Sequence, residues 1–138
     1  MSGEKHRHEA DRWIEQARAD LRAAELSTNG KSYEWACFQA QQSAEKALKG
    51  LWYAGGHDPW GHSLLRLVRE YPESAVATTL KESLAEVAST LDQYYVPTRY
   101  PNGLPDLTPH EVYTERQAVA ARKAAESVIE EICRLVEQ

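Results

Sequence analysis

Gln39-Ala40-Gln41-Gln42-Ser43-Ala44-Glu45-Lys46-Ala47-Leu48-Lys49 decides the fold. The stretch contains no glycine, proline or β-branched residue and is built almost entirely from strong helix formers. Its apolar and polar positions separate at the helical repeat. Ala40, Ala44 and Ala47 or Leu48 extend a stripe that starts at Tyr33 and Cys37 and ends at Leu51, whereas Gln42, Glu45, Lys46 and Lys49 share another side. A stripe so rich in alanine lets a neighbouring helix approach closely. Ser32 opens this predicted helix and Gly55-Gly56 closes it.

Working outward, the same period recurs. Towards the N-terminus, Ile14, Ala17, Leu21 and Ala24 repeat by threes and fours, which predicts a helix from Glu9 to about Ser27. Ser27-Thr28-Asn29-Gly30 stops it, with Asn29 and Gly30 suited to a left-handed cap. Residues 1–8 are polar and read as a flexible N-terminus. Towards the C-terminus, a short helix is predicted from His62 to Glu70, ended by Tyr71-Pro72. A fourth runs from Ala75 to Tyr95 with Leu80, Leu84, Val87, Leu91 and Tyr94 on one face, and a last one runs from Pro109 to the end with Ala121, Ala125, Val128, Ile132 and Leu135. Thr108 is the expected N-cap of that last helix. No segment alternates with period two for long enough to make a strand. The economical solution is all-α: an up-and-down antiparallel four-helix bundle with an additional short helix, formed by one domain over residues 9–138.

At 138 residues the chain can bury a real core, and 42% hydrophobic with 27% charged residues is the composition of an ordinary soluble protein. A net charge of −5 argues against a broadly basic nucleic-acid surface while leaving room for a local basic groove. No secretory or membrane-spanning run is present, so the chain reads as cytoplasmic with no membrane partner. Cys37 and Cys133 fall inside helical patterns and read as small buried or half-buried hydrophobes. The five histidines make no metal-ligand spacing, so neither a metal nor a cofactor is expected. His6 and His8 fall in the N-terminal tail. Trp13, Trp35, Phe38, Trp52, Tyr53 and Trp60 read as core and seam packing, and surplus apolar surface from Trp52 or Tyr53 favours a homodimer.

Two constellations offer chemistry. Gln42, Glu45, Lys46 and Lys49 are either a solvated ladder or the polar wall of a cleft. Tyr94-Tyr95-Val96-Pro97-Thr98-Arg99-Tyr100-Pro101 opens a long irregular segment running to Thr108 and sets Arg99 between aromatics on proline-stiffened backbone. Such an arginine offers a planar fork to phosphate, and its aromatic neighbours a face for a base; alternatively it pairs with a carboxylate such as Glu45. His62 and His110 are isolated histidines with packing or acid–base roles open to them.

Taken in order, Trp13, Gln16-Ala17-x-x-Asp20-Leu21, Gln41-Gln42-x-x-Glu45-Lys46-x-x-Lys49, His62-Ser63-Leu64 and Tyr95-x-x-x-Arg99-Tyr100-Pro101 resemble the HEPN domain. That resemblance implies a helical bundle, usually a homodimer, often the partner of a minimal nucleotidyltransferase in a toxin–antitoxin pair. Some relatives are RNases and others nucleotide-binding modules. Catalytic HEPN ribonucleases share an Arg-x(4–6)-His motif, and no arginine here is followed by histidine at that spacing; ten residues separate Arg99 from His110. The expectation is therefore a nucleotide- or partner-binding module using Gln42, Glu45, Lys46, Lys49, Tyr95, Arg99 and Tyr100. The alternatives are a metal-independent endoribonuclease acting on RNA through Arg99 with His110 or His62, and a structural or assembly protein.

Overall fold

The structure is a computed structural model, described here for residues 2–137. Four long helices carry the architecture: α1 (Ser2–Asn29), α2 (Tyr33–Ala54), α4 (Ser74–Asp92) and α6 (Glu115–Val136). Two short ones, α3 (Leu64–Arg69) and α5 (Pro109–Val112), ride on the connections, and a single 3-10 turn spans Pro101–Gly103. No strand occurs among the described residues.

The helical stripes read from the sequence meet in one core. Ile14, Ala17 and Ala24 of α1 face Cys37, Ala40, Ala44, Ala47, Leu48 and Leu51 of α2, and all are buried. Leu80, Leu84 and Leu91 of α4 and Ala121, Ala125, Val128 and Ile132 of α6 close it. Leu21, Val87, Tyr94 and Leu135 sit at its edge, half-buried. Alanine on α2 is what allows α1 and α6 both to lie against it, since a small side chain brings the axes together. Gly50 serves the same end: a Cβ there would stand 3.0 Å from Ile14 and 3.3 Å from the Ala10 carbonyl.

Several boundaries differ from expectation for identifiable reasons. α1 begins at Ser2 rather than Glu9, and its first turns lie across the loop after α2, where His6 packs over Gly56. A Cβ on Gly56 would come within 2.8 Å of the His6 ring, and Gly56 has φ +77°. At the other end α1 runs on through Asn29, and the left-handed residue of the turn is Lys31 (φ 65°), not Asn29 or Gly30. Ser32 occupies the N-cap of α2 but makes no side-chain cap bond. α4 stops at Asp92, short of Tyr95, because the chain turns back there and the Tyr94 N–H bonds the Leu91 carbonyl.

The last predicted helix is two helices. Thr108 caps α5 through a capping box with Glu111, as expected, but Tyr113 is extended and Thr114 opens α6 with a second capping box to Gln117. Tyr113 is buried against Tyr94, ring centroids 6.0 Å apart, and anchors the break. Of the other aromatics, Trp52 is in the core and donates its indole N–H to the Leu67 carbonyl at 3.1 Å. Trp13, Phe38 and Tyr53 are half-buried, while Trp35 and Trp60 are exposed. No helix among the described residues is long and apolar enough to cross a membrane.

Candidate functional site

On α2 the residues Glu34, Phe38, Gln41, Gln42, Glu45 and Lys49 fall within an arc of roughly 100°, given 3.6 residues per turn. This stripe flanks the apolar face and is the floor of the candidate site. At its centre lies Glu45, only 5% exposed. One carboxylate oxygen accepts from Lys49 Nζ at 3.0 Å and faces His62 Nδ1 at 3.4 Å. The other accepts from the amides of Gln41 at 3.2 Å and Gln42 at 3.4 Å. The Lys49 side chain is itself 12% exposed, so this i,i+4 pair is an interior ion pair rather than the solvated ladder its spacing permits.

Lys46, one step around the helix, is held elsewhere. Its ammonium bonds Asp20 of α1 at 2.6 Å and Gln42 at 3.4 Å. Gln42 thereby joins the Asp20–Lys46 pair to the Glu45 cluster, and its amide also donates to Gln41 at 2.8 Å. The motif Gln41-Gln42-x-x-Glu45-Lys46-x-x-Lys49 is thus one continuous hydrogen-bonded unit.

His62 reaches Glu45 because the chain before α3 is clamped by Asp92. The Asp92 carboxylate accepts from Ser63 Oγ at 2.8 Å and from the Leu64 and Leu65 N–H groups at 2.6 and 3.1 Å. Ser63 in turn caps α3 by accepting from the Arg66 N–H. The Gln41 amide fastens the same stretch of chain from below, through the His62 carbonyl at 3.1 Å. Asp92 carries no signal of this in the sequence. Ser63 before a helical run is a legible N-cap, but its acceptor lies at the far end of α4.

The Tyr94–Pro101 segment wraps over the stripe. Thr98 is buried and donates to the Tyr94 carbonyl at 2.8 Å, while Arg99 Nε donates to the Tyr95 carbonyl, also at 2.8 Å. The guanidinium carbon stands 4.2 Å from the Phe38 ring centroid, 4.7 Å from Tyr95 and 5.3 Å from Tyr100. Tyr95 also stacks on His62, centroids 4.6 Å apart and planes 17° from parallel. Arg99 makes no ion pair among the described residues; the partner once open to it, Glu45, is taken by Lys49 and His62. Its two terminal nitrogens remain available as a fork of N–H donors beside an aromatic face. Phe38, read from the sequence as packing, is the ring on which that fork rests.

Among the candidate residues, Gln42, Glu45, Lys49, His62, Tyr95, Arg99 and Tyr100 are therefore brought together. His110 lies at the N-terminal end of the same α2 stripe: its Nδ1 is 2.9 Å from Oε2 of Glu34, one helical turn before Phe38, and it makes no contact with Glu45 or Arg99 among the described residues. Glu34 and Glu45 are eleven positions apart, about 16 Å along the helix. Of the two histidines, His62 is the one in contact with the ring that holds Arg99. Cys37, beneath the stripe, is buried, and burial followed by the charge of Glu34 pushes its thiol up to about 12, so it stays protonated and unreactive. No group of three or more His, Cys, Asp and Glu side chains among the described residues is placed to hold a metal ion.

Comparison with known proteins places this geometry. The chain matches the HEPN domain over residues 10–136. It is 43% identical to TT1696 from Thermus thermophilus, with a TM-score of 0.85 over 91% of this chain and 96% of that one. It is 35% identical to ST0689, an archaeal HEPN homologue, with a TM-score of 0.76 over 92% and 97% of the two chains. An HEPN domain protein of Thermotoga maritima follows at 26% identity and a TM-score of 0.68, covering 92% of this chain and 98% of that one. It is also 30% identical to human sacsin over 129 residues, which are 88% of this chain and 3% of sacsin. With its helical bundle, its polar α2 stripe and a family match over nearly all its length, the chain belongs to the HEPN family.

Proposed function

We propose that this protein is a ligand-binding module whose cleft, between the α2 stripe and the Tyr94–Pro101 segment, takes a nucleotide. The observation that carries the proposal is the state of Arg99. It is an arginine held by one backbone bond and three aromatic rings, with its terminal nitrogens unpaired by any carboxylate among the described residues. Phosphate oxygens fit that fork, and the exposed ring of Tyr100 offers a face to a base. Glu45, Lys49 and Gln42 hold the floor rigid, which lowers the ordering cost of binding.

Exposed Trp35, Val96 and Tyr100 around the same face support its burial in a homodimer or against a minimal nucleotidyltransferase in a toxin–antitoxin pair. The test is isothermal titration of the purified protein with nucleoside mono-, di- and triphosphates, wild type beside Arg99→Ala. Loss of at least about tenfold in affinity is expected, since charge-assisted hydrogen bonds contribute roughly 1.5–3 kcal/mol. Equal affinity for both proteins would remove Arg99 from the site.

A second reading, a metal-independent endoribonuclease, draws on the Glu45–His62 contact. A buried carboxylate facing Nδ1 favours the tautomer with a free Nε2, the form a general base needs, while Arg99 would stabilise phosphate charge. On this reading His62 takes the acid–base role and His110 does not. RNA cleavage in chelator that survives His110→Ala and is lost in His62→Ala is its signature.

A further inference from the structure

A cavity of about 520 Å³ lies along α1 where Lys46 of α2 reaches it, separate from the Arg99 site. Its walls hold Arg12, Arg22 and Lys46, facing the carboxylates of Glu9 and Glu15, with Trp13 as its aromatic side. Glu9 offsets Arg12 and Asp20 offsets Lys46, which leaves Arg22 as the cation with no bonded carboxylate among the described residues.

The pairings inside it are unequal. Glu9 is used on both oxygens, by Arg12 Nη1 at 3.0 Å and by the Trp13 indole N–H at 3.1 Å. Lys46 is bound by Asp20 and Gln42, which leaves one of its three donors open. Arg22 makes no hydrogen bond or ion pair among the described residues, so its whole guanidinium is available. Trp13 is kept in place from behind by Tyr53, centroids 5.3 Å apart, and by Lys49 Nζ, 6.0 Å from the Trp13 ring. Concave shape, a rigid aromatic wall, and donors in surplus over acceptors are the marks of an oxyanion pocket.

We infer that this α1–α2 cavity is a second binding site, for a compact phosphate-bearing anion, held by the guanidiniums of Arg22 and Arg12 and the ammonium of Lys46. It is independent of the nucleotide reading above, because neither Arg99 nor any residue of the Tyr94–Pro101 segment lines it. Asp20 and Gln42 hold the Lys46 ammonium in place, so the ligand meets a positioned N–H donor rather than a freely moving one.

The experiment is a titration of the full chain, labelled with nitrogen-15, with sodium pyrophosphate at constant ionic strength. The readout is the Trp13 indole N–H resonance. A saturable shift is expected, weakened at least about tenfold in Arg22→Ala and partly restored in Arg22→Lys, given the strength of charge-assisted bonds. Arg22 is exposed, so the variant keeps its core. Arg99→Ala should leave the Trp13 titration unchanged, and this arm separates the failure of one site from the failure of the other. Three outcomes overturn the proposal. One is a shift of equal size with sodium chloride at the same ionic strength, and another is an Arg22→Ala titration matching wild type. The third is saturation confined to resonances around Arg99.

Discussion

Replacing Glu45 by alanine removes the acceptor on which the centre of the site depends. Four side chains point donors or a ring nitrogen at its carboxylate, at 3.0 to 3.4 Å. Without it Lys49, 12% exposed, becomes an interior cation with no carboxylate, and fully buried Gln41 keeps only the His62 carbonyl for its amide. Breaking a buried ion pair from one side costs about 3–5 kcal/mol. The Lys49 stem is long enough to carry its charge partway to water, which favours the lower end, so the expected loss is about 3 kcal/mol. Glu45→Gln keeps the shape and one acceptor and should lose roughly half of that. Urea denaturation followed by far-ultraviolet circular dichroism checks the claim. With a slope of about 1–3 kcal/mol per molar, the midpoint should fall by roughly 1–3 M. A double-mutant cycle with Lys49→Met should return a coupling of about 1–2 kcal/mol. A Glu45→Ala loss under about 0.5 kcal/mol, the size of an exposed i,i+4 pair, would refute the reasoning and return the motif to a solvated ladder.

Asp92→Ala should cost about 1–2 kcal/mol by uncapping α3, and should also move the His62 ring resonances, since Asp92 holds the backbone on either side of Ser63; thermal melting and proton spectra read the two effects. Gly56→Ala meets both a φ of +77° and the His6 ring, whereas Gly61→Ala meets a φ of +84° with nothing within 4 Å. Each φ costs about 1 kcal/mol, so both should destabilise and Gly56→Ala more, as chemical denaturation would show. Cys37, ordinarily ionising at 9.0 and pushed up to about 12, keeps its proton in the folded state while the unfolded thiol loses its own. Its contribution is complete below pH 9.0 and is lost as pH climbs towards 12, so Cys37→Ala should flatten the alkaline fall in stability measured by urea midpoints. A thiol-specific disulfide reagent should label half-buried Cys133 in the native protein and Cys37 only after unfolding.

Helix content and the core faces were legible in the sequence because they depend on neighbours three and four positions away. Ala40, Ala44, Leu48 and Leu51 had to share a side whatever α2 packed against, and Thr108 with Glu111 is a cap that needs no tertiary partner. The Glu45–Lys49 pairing was legible for the same reason. Its burial was not, since a helical wheel shows which residues are adjacent and not what covers them.

Everything that turns the stripe into a site is set by contacts distant along the chain. His62 meets Glu45 from seventeen positions away, and Ser63 meets Asp92 from twenty-nine. Arg99 rests on Phe38 of α2, leaving its charge unspent once Lys49 and His62 have occupied Glu45. The start of α1 at Ser2 and the break between α5 and α6 belong with these: a histidine seated on Gly56 and a tyrosine buried against Tyr94 are packing events. Local periodicity determines where the backbone can be helical. Which polar groups are satisfied, and which are left unpaired, is decided only when the helices close around each other and compete for the same acceptors.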